Sequence, residues 1–169
     1  MNQSKTLTIK REVVIKLIQA TLLIGLSTIS PLIHNQSITG TIVNASLFIS
    51  TMLLGSKIAI LTGLLPSIIA LSVGLLPIAL APIIPFIISS NIILVLTFNF
   101  LKEKSYWTGV LLASGLKFLF LFGVSSIFTN FVLKKNFLNI AATMQLPQLL
   151  TAISGGVVAY FFLRNIKSN

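Results

Sequence analysis

Acidic side chains are nearly absent from this sequence. Its 169 residues include two acids, Glu12 and Glu103, against twelve Lys and Arg residues. Catalysis by paired carboxylates and metal binding by carboxylate cages both need acids that converge in space. A proton-coupled transporter usually carries Asp or Glu within the membrane. The shortage of acids therefore argues against enzymatic activity and against autonomous proton coupling.

Cysteine is missing altogether, and histidine occurs once, at His34. Without cysteine the chain cannot form disulfides, thiolate nucleophiles, iron–sulfur clusters or thiolate zinc sites. A membrane protease or phosphatase would need a nucleophile beside a base, and no acid is expected near His34. We therefore expect no catalytic residue, no metal site and no cofactor.

Charge of either sign is scarce. Charged residues make up 8% of the chain and hydrophobic residues 55%, and the mean hydropathy is +1.02. A soluble domain carries roughly 25% charged residues. A chain with so few polar groups cannot cover a globular surface with them, so its apolar surface must face lipid. We predict an all-α integral membrane protein.

Six segments are apolar enough to be helices in a bilayer about 30 Å thick, which needs about 20 residues per crossing. The first lacks a small-x-small cleavage pattern and is expected to be a retained helix, not a signal peptide. Helices 2 and 3 are short, and either two tilted helices or a re-entrant hairpin would fit them. The turn between them carries Lys57 and no proline, which favours two helices. The single predicted transmembrane domain has helices at approximately 13–30, 40–54, 58–73, 78–100, 106–129 and 146–163.

The basic residues predict the orientation. With the N-terminus inside, nine of the twelve are cytoplasmic, whereas Lys134 and Lys135 fall outside and Lys117 lies within helix 5. Because cytoplasmic loops prefer Lys and Arg, this pattern favours an N-in, C-in bundle in the cytoplasmic membrane of a prokaryote. The basic residues lie between apolar runs and not along one helix face, so we expect no nucleic-acid partner.

Lys117 is the most unusual residue, because it lies near the middle of helix 5 and no acid is placed to neutralise it. Its side chain could extend to an interface, bind a carboxylate or phosphate of a ligand, or meet an acid on a partner subunit. Ser114 lies three residues earlier on the same helix face and could join it.

Neutral hydrogen-bonding residues gather in the half of the bundle predicted to face outward. Asn44 and Asn91 lie within apolar helices, where an amide needs a partner that is either another helix or a ligand. His34 lies in the outer loop, and Gln148 lies near the start of helix 6. Neutral donors and acceptors in an apolar pocket suit a small organic ligand. The candidate ligand-binding residues are Asn44, Asn91, Lys117, Ser114, His34 and Gln148.

Two segments carry a resemblance to a known family: residues 38–45 (ITGTIVNA) and residues 63–67 (GLLPS). With six helices in under two hundred residues, a long loop after helix 1 and a short helix 2–helix 3 pair, the layout resembles the substrate-binding S components of energy-coupling factor (ECF) vitamin transporters. The resemblance implies capture of a vitamin or other micronutrient at the outer face, and docking on a membrane T subunit that carries two ATPase subunits. It also implies toppling of the S component in the bilayer to release the ligand.

The resemblance also implies a docking surface on helix 1. The family carries an Ala-x-x-x-Ala pattern there, whereas this chain offers Ala20 and the pair Thr21 and Gly25. The absence of a GxxxxGK[ST] phosphate-binding loop fits energy supply by separate subunits. The alternative is a membrane scaffold or assembly factor, in which the polar residues serve packing and partner contacts. A membrane enzyme ranks last.

Overall fold

The computed structural model describes the backbone of residues 2–131 and 138–167, and the side chains of residues 11–78, 81–127 and 146–166. The described residues form helices and no strand, which confirms the predicted all-helical class. Two short 3-10 helices, Ser30–Ile33 and Ile78–Ile83, accompany the α-helices. The α-helices are α1 (Asn2–Ile29), α2 (Gln36–Leu53), α3 (Ser56–Ser72), α4 (Ile84–Leu101), α5 (Tyr106–Phe131) and α6 (Leu138–Lys167).

Four stretches in the described part of the chain are long and apolar enough to cross a membrane, and they belong to α1, α4, α5 and α6. They are compatible with a multi-pass membrane protein. Helix α3 is apolar but has 17 residues, and α2 has 18. The two short segments form separate helices, as both predicted alternatives require, and they are joined at Gly55, whose φ of 87° lies in the left-handed region that favours glycine. The four candidate spans are Arg11–Ile33, Ala81–Leu101, Tyr106–Ile127 and Leu146–Ile166.

Helix α2 is the centre of the bundle, because it contacts α1, α3, α4 and α6. Every side chain in residues 43–51 is buried, although several carry hydroxyl or amide groups. Most of these groups find partners inside the protein: the Thr51 hydroxyl donates to the Leu47 carbonyl oxygen at 2.7 Å, and the hydroxyl oxygens of Ser50 and Thr62 are 3.3 Å apart. The Ser46 hydroxyl is buried without a hydrogen-bond partner among the described residues. The polar groups of α2 are therefore enclosed by the helices around it.

Among the described residues, several basic side chains gather at one end of the bundle. Lys102 Nζ donates to the Thr51 carbonyl oxygen at 3.0 Å, and the Tyr106 hydroxyl donates to the Gly156 carbonyl oxygen at 2.7 Å. These contacts bring the α2–α3 turn, the α4–α5 loop and the second half of α6 to one end, called here the basic end. The opposite end holds the two 3-10 helices. The basic end carries Lys57, Lys102, Lys104 and Arg164.

Several helix boundaries differ from the sequence prediction, and α2 begins at Gln36, four residues before its predicted start at residue 40. A single helix was predicted over residues 78–100, but the first turns are the 3-10 helix Ile78–Ile83 and α4 begins at Ile84. Pro82 and Pro85 lack the N–H group that a regular α-helix needs there. Helices α1 and α6 are longer than their predicted apolar segments, because hydropathy marks where lipid can be crossed and not where the helix ends. Of the predicted connector at residues 130–145, residues 132–137 lie outside the described part.

Pro66 interrupts the hydrogen bonding of α3 and is compensated by α1. Because proline has no N–H group, the carbonyl oxygen four residues earlier, in Thr62, loses its helical donor. The buried Ser27 hydroxyl lies 3.1 Å from that oxygen and 2.9 Å from the Ile24 carbonyl oxygen, so its one hydrogen is shared between these two acceptors. The contact satisfies a backbone group that would otherwise be buried without a partner, and it holds α1 against α3.

Candidate ligand-binding site

Lys117 joins three helices inside the bundle. Its side chain is 2% exposed, and its Nζ donates hydrogen bonds to Oδ1 of Asn44 at 2.7 Å and to Oδ1 of Asn91 at 2.8 Å. Helix α5 is thereby tied to α2 and α4. Of the three interpretations of Lys117, extension of the side chain to an interface does not fit this buried geometry.

The two amides are held in a fixed orientation. Nδ2 of Asn91 donates to the Gly63 carbonyl oxygen at 3.0 Å, and Nδ2 of Asn44 donates to the Gly40 carbonyl oxygen at 2.8 Å. Since an amide nitrogen donates and its oxygen accepts, these bonds turn both Oδ1 atoms toward Lys117. The site is therefore preorganised around the ammonium group by backbone carbonyl groups on α2 and α3.

Glycine residues let the helices approach at this point. A Cβ atom at Gly155 would lie 2.7 Å from Cβ of Asn44 and 2.7 Å from the backbone nitrogen of Ala45. One at Gly63 would lie 3.2 Å from Cβ of Asn91. The sequence interpretation did not include Gly155, although two adjacent glycines in an apolar helix are a signal for close helix packing.

A cavity of about 70 Å³ lies next to Lys117. This volume exceeds the space that one water molecule needs, which is about 10–15 Å³ by the same kind of measure. Apolar walls with a few converging polar groups are typical of sites for small organic ligands. The apolar part of the lining includes Val43, Pro66, Ala70, Leu75, Leu76 and Ile87. The polar groups around Lys117 come from Gln36, Thr39, Asn44, Ser67, Asn91 and Gln148.

The cavity lies away from the basic end. Its lining comes from the first half of α2, the second half of α3, the first half of α4 and the start of the apolar part of α6. Lys117 follows Tyr106, the first residue of α5, by eleven residues. At 1.5 Å per residue this is about 16 Å along the helix axis, roughly half the thickness of a bilayer core. The lysine therefore lies near the middle of the bundle, where the cavity reaches it from the opposite end.

No acidic side chain of this protein neutralises Lys117. The whole sequence holds two acids, and both Glu12 and Glu103 are exposed. Glu103 lies in the α4–α5 loop at the basic end. An ammonium group has three N–H donors, and the hydrogen bonds in the described part of the chain use two of them. One donor of a buried cation thus remains for whatever occupies the cavity.

The structure brings together four of the six candidate ligand-binding residues: Asn44, Asn91, Lys117 and Gln148 line the cavity. Ser114 does not join them. It is fully buried, but its hydroxyl has no hydrogen-bond partner in the described structure. Helical spacing places Ser114 on the same face of α5 as Lys117. The short serine side chain does not reach the ammonium group, however, because that group lies several bonds from the helix backbone at the end of the lysine side chain.

His34 is also outside the cavity lining. It is exposed, has a left-handed φ of 54°, and places Nδ1 2.8 Å from the Leu32 carbonyl oxygen and Nε2 3.2 Å from that of Val73. Both neighbours are acceptors, so the ring donates through whichever nitrogen carries a proton. His34 therefore connects the first 3-10 helix to the end of α3, beside the site and not within it.

The candidate docking residues lie on the peripheral helix α1, which contacts α2 and α3. Thr21 is exposed, Ala20 is half-buried, and a Cβ atom at Gly25 would meet nothing within 4 Å. Leu22 and Leu26 beside them are 67% and 55% exposed. This face of α1 is apolar and uncovered by the described residues.

Among the described residues, no group of three or more His, Cys, Asp or Glu side chains could hold a metal ion. Comparison of the chain with models of known protein families, with curated proteins and with solved structures gives no match.

Proposed function

We propose that this protein is a membrane-embedded solute-binding subunit that holds a small organic ligand in the cavity beside Lys117. One observation carries the proposal: a buried cation, oriented by two fixed amides and without a carboxylate in its own chain, lines a cavity of about 70 Å³. A desolvated charge is expensive in a bilayer and is usually placed there for a function. The proposal involves no catalysis.

The ligand enters from the outer side in this proposal. All six helices cross the cytoplasmic membrane of a prokaryote, with both termini inside. Support comes from the charges, since Lys57, Lys102, Lys104 and Arg164 share one end and cytoplasmic loops prefer such residues. The cavity belongs to the opposite end, so it would open toward the outside.

Within this class, we propose that the protein is the S component of an ECF-type importer. Both segments that carry the resemblance border the cavity: residues 38–45 supply Thr39, Gly40 and Asn44, and residues 63–67 supply Pro66 and Ser67. The uncovered face of α1 around Thr21 and Gly25 would dock on a membrane T subunit. Two separate ATPase subunits would supply the energy, because the chain has no phosphate-binding loop of its own.

Native mass spectrometry of the protein, purified in mild detergent from cells grown in rich medium, tests the binding function. We expect a small adduct that is lost on harsh activation. Its occupancy should fall in Lys117→Met and Asn91→Leu, and should remain unchanged in the control Lys104→Met, which changes an exposed lysine at the basic end. Co-purification with a T subunit and two ATPases, weakened by Gly25→Leu, would support the ECF assignment.

A scaffold or assembly factor is the second candidate, and the same network favours it in one respect. Lys117, Asn44 and Asn91 tie α5, α2 and α4 together, as polar residues do when they only hold helices in register. The scaffold would be favoured if the protein carried no small adduct but retained a partner protein, and if the binding of this partner survived Lys117→Met. This result would contradict ligand capture.

A further inference from the structure

The hydrogen-bond partners of Lys117 within the bundle do not balance the positive charge of its ammonium group. The amide oxygens of Asn44 and Asn91 lie 2.7 and 2.8 Å from Nζ, which is the distance range of charge-assisted hydrogen bonds. Amides supply dipoles but no net charge. A protonated Lys117 therefore needs a negative charge from outside the chain.

The cavity is the route by which that charge can reach the lysine. Lys117 is 2% exposed and lines the cavity, so an anion must enter the bundle to meet it. An acidic side chain of a partner protein would have to insert into the cavity to do the same, whereas a small molecule needs only to fit it. A small molecule is therefore the occupant that this geometry favours.

The other polar groups of the lining are neutral. Among the described residues, the side chains of Gln36, Ser67 and Gln148 make no hydrogen bond, and each can donate one. Within the part of the chain that the structure describes, no second Lys or Arg lines the cavity. A doubly charged phosphate would keep an unbalanced charge here, whereas one carboxylate matches one ammonium group.

We propose that the ligand carries a single carboxylate that accepts the third N–H of Lys117 and supplies its counter-charge, with the rest of the molecule among the neutral donors and apolar walls. This inference rests on the proposed binding function and names the substrate class: a small organic monocarboxylate. The amides of Asn44 and Asn91 position the lysine, and Lys117 itself recognises the acid.

The experiment uses two probes of one shape that differ in charge, sodium propionate and propionamide. The protein, labelled with 15N at lysine and purified in a neutral detergent, is titrated with each probe at constant ionic strength. The Lys117 Nζ signal is identified by its loss in Lys117→Arg. We expect propionate to shift this signal saturably, with an affinity at least about tenfold above that of propionamide, a difference that one ionic contact readily produces.

Variants separate charge from shape. Lys117→Met keeps the length of the side chain without its charge, and thermal unfolding should then respond to neither probe. Lys117→Arg keeps the charge, and propionate should still raise its unfolding temperature. Lys104→Met, at an exposed position, should behave as the parent protein.

Two results would overturn the inference. Equal affinity for both probes would mean that Lys117 presents a neutral amine and the ligand is uncharged. No response to propionate up to about 100 mM would mean that the lysine accepts no anion. The adduct in native mass spectrometry decides the binding function separately: a neutral adduct would leave the function standing while the carboxylate fails.

Discussion

Asn44 and Lys117 lie 73 positions apart in the sequence, and their side chains meet at 2.7 Å inside the bundle. The same Asn44 packs against α6 at Gly155, where no other residue type would fit without displacing the backbone. The residue that orients the lysine thus also lies at a close helix contact. Changes at this point should affect ligand binding and stability together, and the predictions below separate the two.

An internal counter-charge should replace the ligand's carboxylate. Asn44→Asp places a carboxylate where an amide oxygen now lies 2.7 Å from Nζ. The second carboxylate oxygen would take the place of Nδ2, which now donates to the Gly40 carbonyl oxygen at 2.8 Å, and this repulsion offsets part of the ionic gain. We therefore expect the free energy of unfolding to stay within about 3 kcal/mol of the parent protein. Propionate should then bind at least about tenfold more weakly. Thermal unfolding in detergent, with and without propionate, measures both effects.

Asn35→Asp is the matched control, because it adds the same charge at an exposed position. Asn35 caps α2 by accepting a hydrogen bond from the Ile38 backbone nitrogen at 3.1 Å, and aspartate can do the same. Its stability should change by less than about 1 kcal/mol, with propionate binding retained. If Asn44→Asp lowers stability and leaves propionate binding intact, Lys117 does not need a counter-charge.

Part of this site could be predicted from the sequence. Asn44, Asn91 and Lys117 are recognisable because a polar side chain within an apolar helix must find a partner in lipid. Gln148 follows from its position at the same end of the bundle. Ser114 and His34 met the same criteria of spacing and location, yet neither lines the cavity. Helical periodicity fixes the face of a residue, whereas side-chain length and neighbouring backbone decide what it reaches.

The helix boundaries and the glycine contacts were harder to predict from the sequence. Hydropathy located the apolar segments, but α1 and α6 continue beyond them because polar residues can also form helix. Gly155 becomes meaningful once α6 is known to pack on α2, and nothing local in the sequence identifies that partner. The compensation of Pro66 by Ser27 likewise depends on which helix lies beside α3.

A methyl group at Gly155 should force α2 and α6 apart. In Gly155→Ala the new Cβ would lie 2.7 Å from the Ala45 backbone nitrogen, which cannot move as a side chain can. We expect a loss of about 1–3 kcal/mol in the free energy of unfolding, with weaker ligand binding because Asn44 shifts. In the control Gly115→Ala, where nothing lies within 4 Å, stability should rise by up to about 1 kcal/mol. Equal stabilities for the two variants would contradict the close contact.

The contact between Ser27 and Pro66 should be measurable as a coupling. Ser27→Ala leaves the Thr62 carbonyl oxygen without a donor, which costs about 1–3 kcal/mol. In a Pro66→Ala background the new N–H group can satisfy the same oxygen. Removing the serine should then cost at least about 1 kcal/mol less, as a double-mutant cycle by thermal unfolding would report.

Ser72→Ala controls for the loss of a hydroxyl. Its hydroxyl donates to the Ile68 carbonyl oxygen at 3.0 Å on an exposed part of α3, so the variant should stay within about 0.5 kcal/mol of the parent. Additive effects of Ser27→Ala and Pro66→Ala would show that the Ser27 hydroxyl is not needed by Thr62.

The absence of cysteine makes the topology directly testable, because each introduced cysteine is a unique label. Ser37 and Ser105 are exposed at opposite ends of the bundle, and Ser56 begins α3 at the basic end. In intact cells a membrane-impermeant maleimide should label Ser37→Cys, whereas Ser56→Cys and Ser105→Cys should react after permeabilisation. This pattern follows from the retention of Lys-rich loops in the cytoplasm. Labelling of Ser56→Cys from outside would make α2 and α3 a re-entrant pair, and labelling of Ser105→Cys from outside would invert the bundle and turn the cavity toward the cytoplasm.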